Sequence, residues 1–185
     1  MKIALFVFAL VLGFTTQSFA AIAADSKYSS LEDKDCNLIA SSDDDADAPI
    51  DYFKSICPGQ DGYLVKFAGG DIRSWVGILK PGEKYEAAAD FFAALMEGSR
   101  GQFPNVQGSK LEWRYNDGKL VAFILRMTAQ DPEAVEKNLE NLVVLRVPSS
   151  DFSQVCLIGS IDTTAIKDSN VSARAIADDA SKQCP

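Results

Sequence analysis

The sequence predicts an α+β domain: a mainly antiparallel sheet of meander and hairpins, two to three segregated helices, and disulfides pinning the ends. Three observations lead there. Short β-rich runs between Tyr52 and Leu79 are divided by glycine-containing turns, Asp117-Gly118 interrupts the apolar stretch Leu111–Met127 as a two-residue turn, and separate stretches near residues 83–98 and at the C-terminus carry apolar residues at helical spacing.

In chain order, residues 1–20 have the pattern of a secretory signal peptide: Lys2 as the positive n-region, Ile3–Phe14 as the apolar run, and Ser18-Phe19-Ala20 as small residues at a cleavage site, with Ala23 as an alternative end. Roughly a dozen apolar residues fall short of the about 20 a spanning helix needs, so no stable membrane insertion is expected after cleavage. Residues 21–35 are small and polar without periodicity and read as a flexible leader, followed by a single domain over 36–185. Cys36–Ala40 reads as a short strand. Ser41–Asp51 holds five aspartates around Pro49 and reads as a solvated loop. As a calcium loop counted from Asp43 it has Ala48 where glycine is needed and Lys54 where glutamate is needed, so no metal site is assigned.

Tyr52–Cys57, Tyr63–Ala68 and Ile72–Leu79 read as meander strands separated by Pro58–Gly62 and by Gly69-Gly70. After Pro81-Gly82, the spacing of Tyr85, Ala88, Phe92 and Leu95 or Met96 predicts an amphipathic helix of about four turns, with Gly98 as its stop. Asp117-Gly118 as a type I′ turn sets Asn116 against Lys119, Tyr115 against Leu120, Trp113 against Ala122 and Leu111 against Ile124, with the last six residues on one core face. Glu112, Arg114, Val121, Phe123 and Leu125 occupy the other face, which is half apolar and calls for partial cover. Arg126 falls on the Trp113 face and must escape at the edge or be paired. Asp131-Pro132-Glu133 reads as a helix start, with Val135 and Leu139 as its stripe. Leu142–Val147 and Gln154–Ile161 read as strands, and a final helix from Asp168 or Ser169 carries Val171, Ala175, Ile176 and Ala180 on one side.

Cys36, Cys57, Cys156 and Cys184 form an even set in an exported chain, which implies two disulfides. Of three connectivities, loop closure favours Cys36–Cys57 with Cys156–Cys184, though only logarithmically. Without histidine, and with all four cysteines paired, histidine-based triads and thiolate nucleophiles are excluded, and no phosphate loop is present. No catalytic residue and no cofactor is assigned. The net charge of −8 becomes −9 once residues 1–20, with one lysine and no acid, are removed. Such a surface repels nucleic acid and anionic lipid and suits a basic protein. Arg73, Trp75, Trp113 and Arg114, with Arg126, are the candidate binding residues, because arginine and tryptophan dominate binding hot spots. Among the acids, Asp71 is expected to pair with Arg73 and Glu112 with Arg114.

Cys57-Pro58-Gly59 followed by Asp61-Gly62, Gly70-Asp71-Ile72-Arg73, Leu111-Glu112-Trp113-Arg114, and the late Cys156 and Cys184 together resemble a loose family of uncharacterised exported proteins of Gram-negative bacteria. The resemblance spans most of residues 21–185. It implies a periplasmic home and paired cysteines, and no activity. Two functions are carried forward. One is a periplasmic or secreted binding protein for a basic protein or a glycan, for example an inhibitor of a basic envelope enzyme. The other is a glycan hydrolase working through two carboxylates. Intact-mass measurement of the exported protein should show a chain starting at residue 21 or 24; a membrane-bound form retaining Met1 would contradict export with processing.

Overall fold

The computed structural model describes residues 24–43 and 51–185, so the signal-peptide reading and most of the aspartate run lie outside the described residues. The described part is sheet-rich and mostly antiparallel, with two α-helices and both expected disulfides, Cys36–Cys57 and Cys156–Cys184, at S–S distances of 2.00 and 2.07 Å. Among the described residues no helix is long and apolar enough to cross a membrane.

The short strand expected at Cys36–Ala40 is present as β2 (Asn37–Ser41), and the predicted three-strand meander as β3 (Phe53–Pro58), β4 (Leu64–Gly70) and β5 (Arg73–Leu79). A second antiparallel ribbon follows as β7 (Gln102–Asn116), β8 (Lys119–Gln130), β9 (Asn138–Arg146) and β10 (Cys156–Asp162), giving the order β10-β9-β8-β7-β5-β4-β3-β2. The two halves meet at one parallel bridge, Arg73 with Asn105. Val65, Val76 and Ile78 of the first half nevertheless share a buried cluster with Trp113, Phe123, Leu125, Val143 and Leu145 of the second, so the sheet curls to enclose one core, closed by Leu95 of α1 (Phe92–Ser99). A smaller cluster on the other face joins Ala122, Ile124, Leu142 and Val144 to Ala173 and Ala177 of α2 (Ser169–Asp178). β8 and β9 are therefore covered on both sides, which accounts for their near-continuous apolar sequence.

Several expectations are corrected. The flexible leader is not one: its described part contains β1 (Asp25–Ser30), antiparallel to Lys110–Tyr115 of β7. The pairing satisfies β7 backbone groups that β5 leaves free beyond its single bridge, and backbone pairing needs no apolar alternation to announce it. The helix expected over 83–98 is reduced to α1, preceded by a 3-10 turn at Tyr85–Ala87 and by β6 (Ala89–Asp90), which pairs with β5. Asp90 sets this limit. Its Oδ1 accepts the Phe92 N–H at 2.8 Å, while Oδ2 accepts Lys66 Nζ at 2.9 Å and Trp75 Nε1 at 3.0 Å, tying the residue to the sheet. The pairing also needs Gly77, since a Cβ there would overlap the Ala89 carbonyl.

No helix follows Asp131-Pro132-Glu133. Asp131 Oδ1 accepts the Glu133 N–H at 2.8 Å, and the Asp131 N–H donates to the Lys137 carbonyl at 3.0 Å, so the apparent helix start closes the β8–β9 hairpin. Val135 is exposed and Leu139 lies in β9 opposite Ala129.

The Asp117-Gly118 turn forms as predicted, with φ of 51° and 72°. The predicted register holds for Asn116–Lys119 and Tyr115–Leu120 and then slips: Val121 has no partner on β7, Arg114 faces Ala122, and Trp113 faces Phe123. This one-residue bulge exchanges the faces of β8, sending Phe123, Leu125 and Met127 to the Trp113 core and Ala122, Ile124 and Arg126 to α2. On α2 the buried positions are Ser169, Ala173 and Ala177, whereas Val171 is exposed, so the expected stripe is rotated about the helix axis.

Trp113 is fully buried, packs edge-on against Phe123 at 5.0 Å and donates from Nε1 to Ser29 Oγ at 3.0 Å. Chemical denaturation should show Trp113→Ala losing about 3 to 5 kcal/mol through transfer and cavity costs. Trp113→Phe, which keeps an aromatic ring but drops the hydrogen bond and part of the packing, should lose about 1 kcal/mol for the bond plus a packing remainder. A near-neutral Trp113→Ala would contradict this core.

Candidate functional site

Alternation along β7 turns Glu112 and Arg114 away from Trp113 and under α2, where both are buried. Each reaches the helix instead of its neighbour, which corrects the expected Glu112–Arg114 pair. The Arg114 guanidinium forks onto Asp178, Nε to Oδ1 at 2.7 Å and Nη2 to Oδ2 at 2.5 Å, with Nη1 donating to Ser26 Oγ at 2.9 Å. Arg174 donates from Nε to Glu112 Oε1 at 2.7 Å and from Nη2 to Tyr28 Oη at 2.7 Å. These hydrogen bonds to carboxylate hold both guanidinium pKa values above the ordinary arginine range. At the C-terminal end of α2, Arg146 of β9 donates to the carbonyls of Ala177, Asp179 and Lys182 at 3.0, 2.7 and 2.8 Å, and its burial lowers its pKa.

Beside the Arg174–Glu112 pair opens a cavity of about 380 Å³. Ile124 and Leu142 form its apolar part, and Tyr28, Glu112, Arg126 and Arg174 bring polar groups to it, joined by Lys110 and Asn170. Lys110 has no side-chain partner among the described residues, and it stands opposite Ser30 where β1 meets β7. Arg126 is paired, as one of its two expected fates required, to Glu140 Oε2 at 2.8 Å and Thr163 Oγ1 at 3.1 Å. It lies on the α2 face and not on the Trp113 face, because of the Val121 bulge. Three cations and one carboxylate thus line a single cavity in a chain of net charge −8.

The other candidate residues do not form one patch with it. Trp113 is core and Arg114 is beneath α2. Arg73 and Trp75 share a different part of the surface: Arg73 sits 4.3 Å above the Phe103 ring, and Trp75 meets Phe92 edge-on at 5.1 Å. The expected Asp71–Arg73 pair forms at 3.2 Å, mostly exposed, and such pairs contribute little. Tyr28, Lys110, Asn170 and Arg174 escaped the sequence reading. The i, i+4 spacing of Arg174 and Asp178 was the one local sign that this helix carries charge toward the sheet.

A carboxylate pair fit for glycoside hydrolysis is not found in the cavity beside α2, where Glu112 is the one acid of the lining and is held by Arg174. A second cleft of about 260 Å³ gathers Asp131, Glu133 and Asp162. There, Asp131 serves the hairpin turn, and Asp162 accepts the N–H groups of Thr164 and Ala165 at 2.8 and 3.1 Å. Hydrogen bonds from Thr164 hold the Asp162 carboxyl below its usual pKa, opposite to the direction a general acid needs.

No family model matches the chain, and neither a curated protein nor a solved structure matches it.

Proposed function

We propose that this protein is an exported binding protein without catalytic activity that holds an acidic glycan in the cavity beside α2. The observation carrying this is the lining of that cavity: an apolar floor, a tyrosine, and three cations, of which Arg174 is paired to Glu112 and Arg126 to Glu140 while Lys110 is left without an acid among the described residues. Saccharides offer C–H faces to apolar and aromatic surface and hydroxyls to planar polar groups such as guanidinium and carboxylate. A sugar carboxylate adds charge-assisted hydrogen bonds from arginine, and Lys110 supplies a charge that no acid of the described residues neutralises. Export is supported by the N-terminal pattern together with two disulfides, which persist in oxidising compartments. A hydrolase would need a second carboxyl beside Glu112.

Titration calorimetry at low salt, with a hexuronic-acid tetrasaccharide and a neutral glucose tetrasaccharide as probes, tests this. The acidic probe should bind and be recovered uncut, the neutral one should bind at least about tenfold more weakly, and Lys110→Ala should weaken the acidic probe about tenfold, equivalent to about 1.4 kcal/mol. Equal binding of both probes, no binding of either, or indifference to Lys110→Ala contradicts the proposal. Shortened saccharides would restore the hydrolase.

A further inference from the structure

We infer that β2 is a docking edge that takes an extended basic and apolar segment of another protein as an added strand. β2 ends the sheet: β3 pairs one side, and among the described residues no strand pairs the other. Free edges are normally guarded by lysine, proline or covering elements. The β2 sequence Asn37-Leu38-Ile39-Ala40-Ser41 has neither lysine nor proline, and it exposes 62% of Leu38 and 48% of Ile39. Among the described residues its guards are its five-residue length and a register slip between Leu38 and Ala40.

Two features make this edge a receiver. Leu38 lies on the same face as Phe53 and Phe67, whose rings meet edge-on at 4.7 Å, and the three line a groove of about 450 Å³ bordered by Ser55 and Asp33. An added strand could seat alternate side chains there while its backbone bonds to β2, the arrangement by which sheet edges recognise peptides. The Cys36–Cys57 disulfide fixes the start of β2 to β3, so the edge is held in place before any partner arrives.

Charge selects the occupant. Asp33 and Asp35 precede β2, and Asp43 and Asp51 flank its far end. Two cations stand nearby, Lys34 paired with Glu32 at 2.6 Å and Lys54 5.5 Å over the rings of Tyr52 and Tyr85, and the four aspartates outnumber them. A strand bracketed by aspartates attracts a basic segment and opposes a second copy of this chain, which would bring the same aspartates and a net charge of −8.

The test uses the mature protein with two synthetic probes, an alternating Val–Lys octapeptide and its Val–Glu counterpart, read by amide hydrogen exchange and by affinity. The Val–Lys peptide should slow exchange across Asn37–Ser41, lose affinity with added salt, and bind about tenfold more weakly to Leu38→Lys. Leu38 is exposed, so that variant keeps its fold, and Lys110→Ala should leave peptide binding unchanged. Equal protection by both peptides, protection at another strand, or insensitivity to Leu38→Lys overturns the inference. So does concentration-dependent protection of β2 in the protein alone, with a dimer in sedimentation, because the edge would then belong to a second copy.

Discussion

The seat of α2 on the sheet depends on three charged side chains projected from β strands. Arg114 takes Asp178, Glu112 takes Arg174, and Arg146 collects the carbonyls that end the helix. Ala173 and Ala177 make the close approach to Ala122, Ile124 and Val144, with the partly buried Ile176 beside them, but two alanines and one partly buried isoleucine bury a modest area and specify position less sharply than paired charges do. The charged contacts define position, since a shift of the helix would leave buried groups unpaired, at a cost larger than the modest gain of each pair. The wall of the cavity follows from the same arrangement, because Arg174 reaches Glu112 and Tyr28 only when α2 lies where Arg114 and Arg146 put it. The Cys156–Cys184 bridge then ties the tail after α2 to β10.

That arrangement requires β7 and β8 to sort their side chains oppositely, which the Val121 bulge achieves. With a regular register Ala122 and Ile124 would enter the Trp113 core, and Phe123 and Leu125 would face α2, where small residues leave no room for them. Close approach elsewhere is handled by glycine. A Cβ on Gly98 would overlap Val143, so α1 can lie against β9 only with glycine there.

The sequence announces what local chemistry fixes. The meander, the Asp117-Gly118 turn, both disulfides and the C-terminal helix were legible because turn residues, alternation and short loops act over a few neighbours. β1 was not legible, because its polar residues are held by a β7 edge some 80 positions away in the chain. Asp90 and Asp131 misled for a related reason: an aspartate accepting a backbone N–H two residues on looks alike whether it starts a helix or closes a turn, and the sheet around it decides. Of the candidate binding residues, only Arg126 lines the cavity. Beside it, Tyr28 comes from β1, Lys110 and Glu112 from β7 and Arg174 from α2, and the Val121 bulge puts Arg126 on their face.

A double-mutant cycle on Arg114 and Asp178, followed by chemical denaturation with both disulfides intact, tests the docking of α2 most directly. Arg114→Ala and Asp178→Ala should each destabilise the protein, and the double variant should be less destabilised than their sum, by a coupling of at least about 1 kcal/mol, because removing both partners leaves neither charge stranded. Effects that add to within about 0.5 kcal/mol would contradict the account and mean that α2 is held by its apolar face alone.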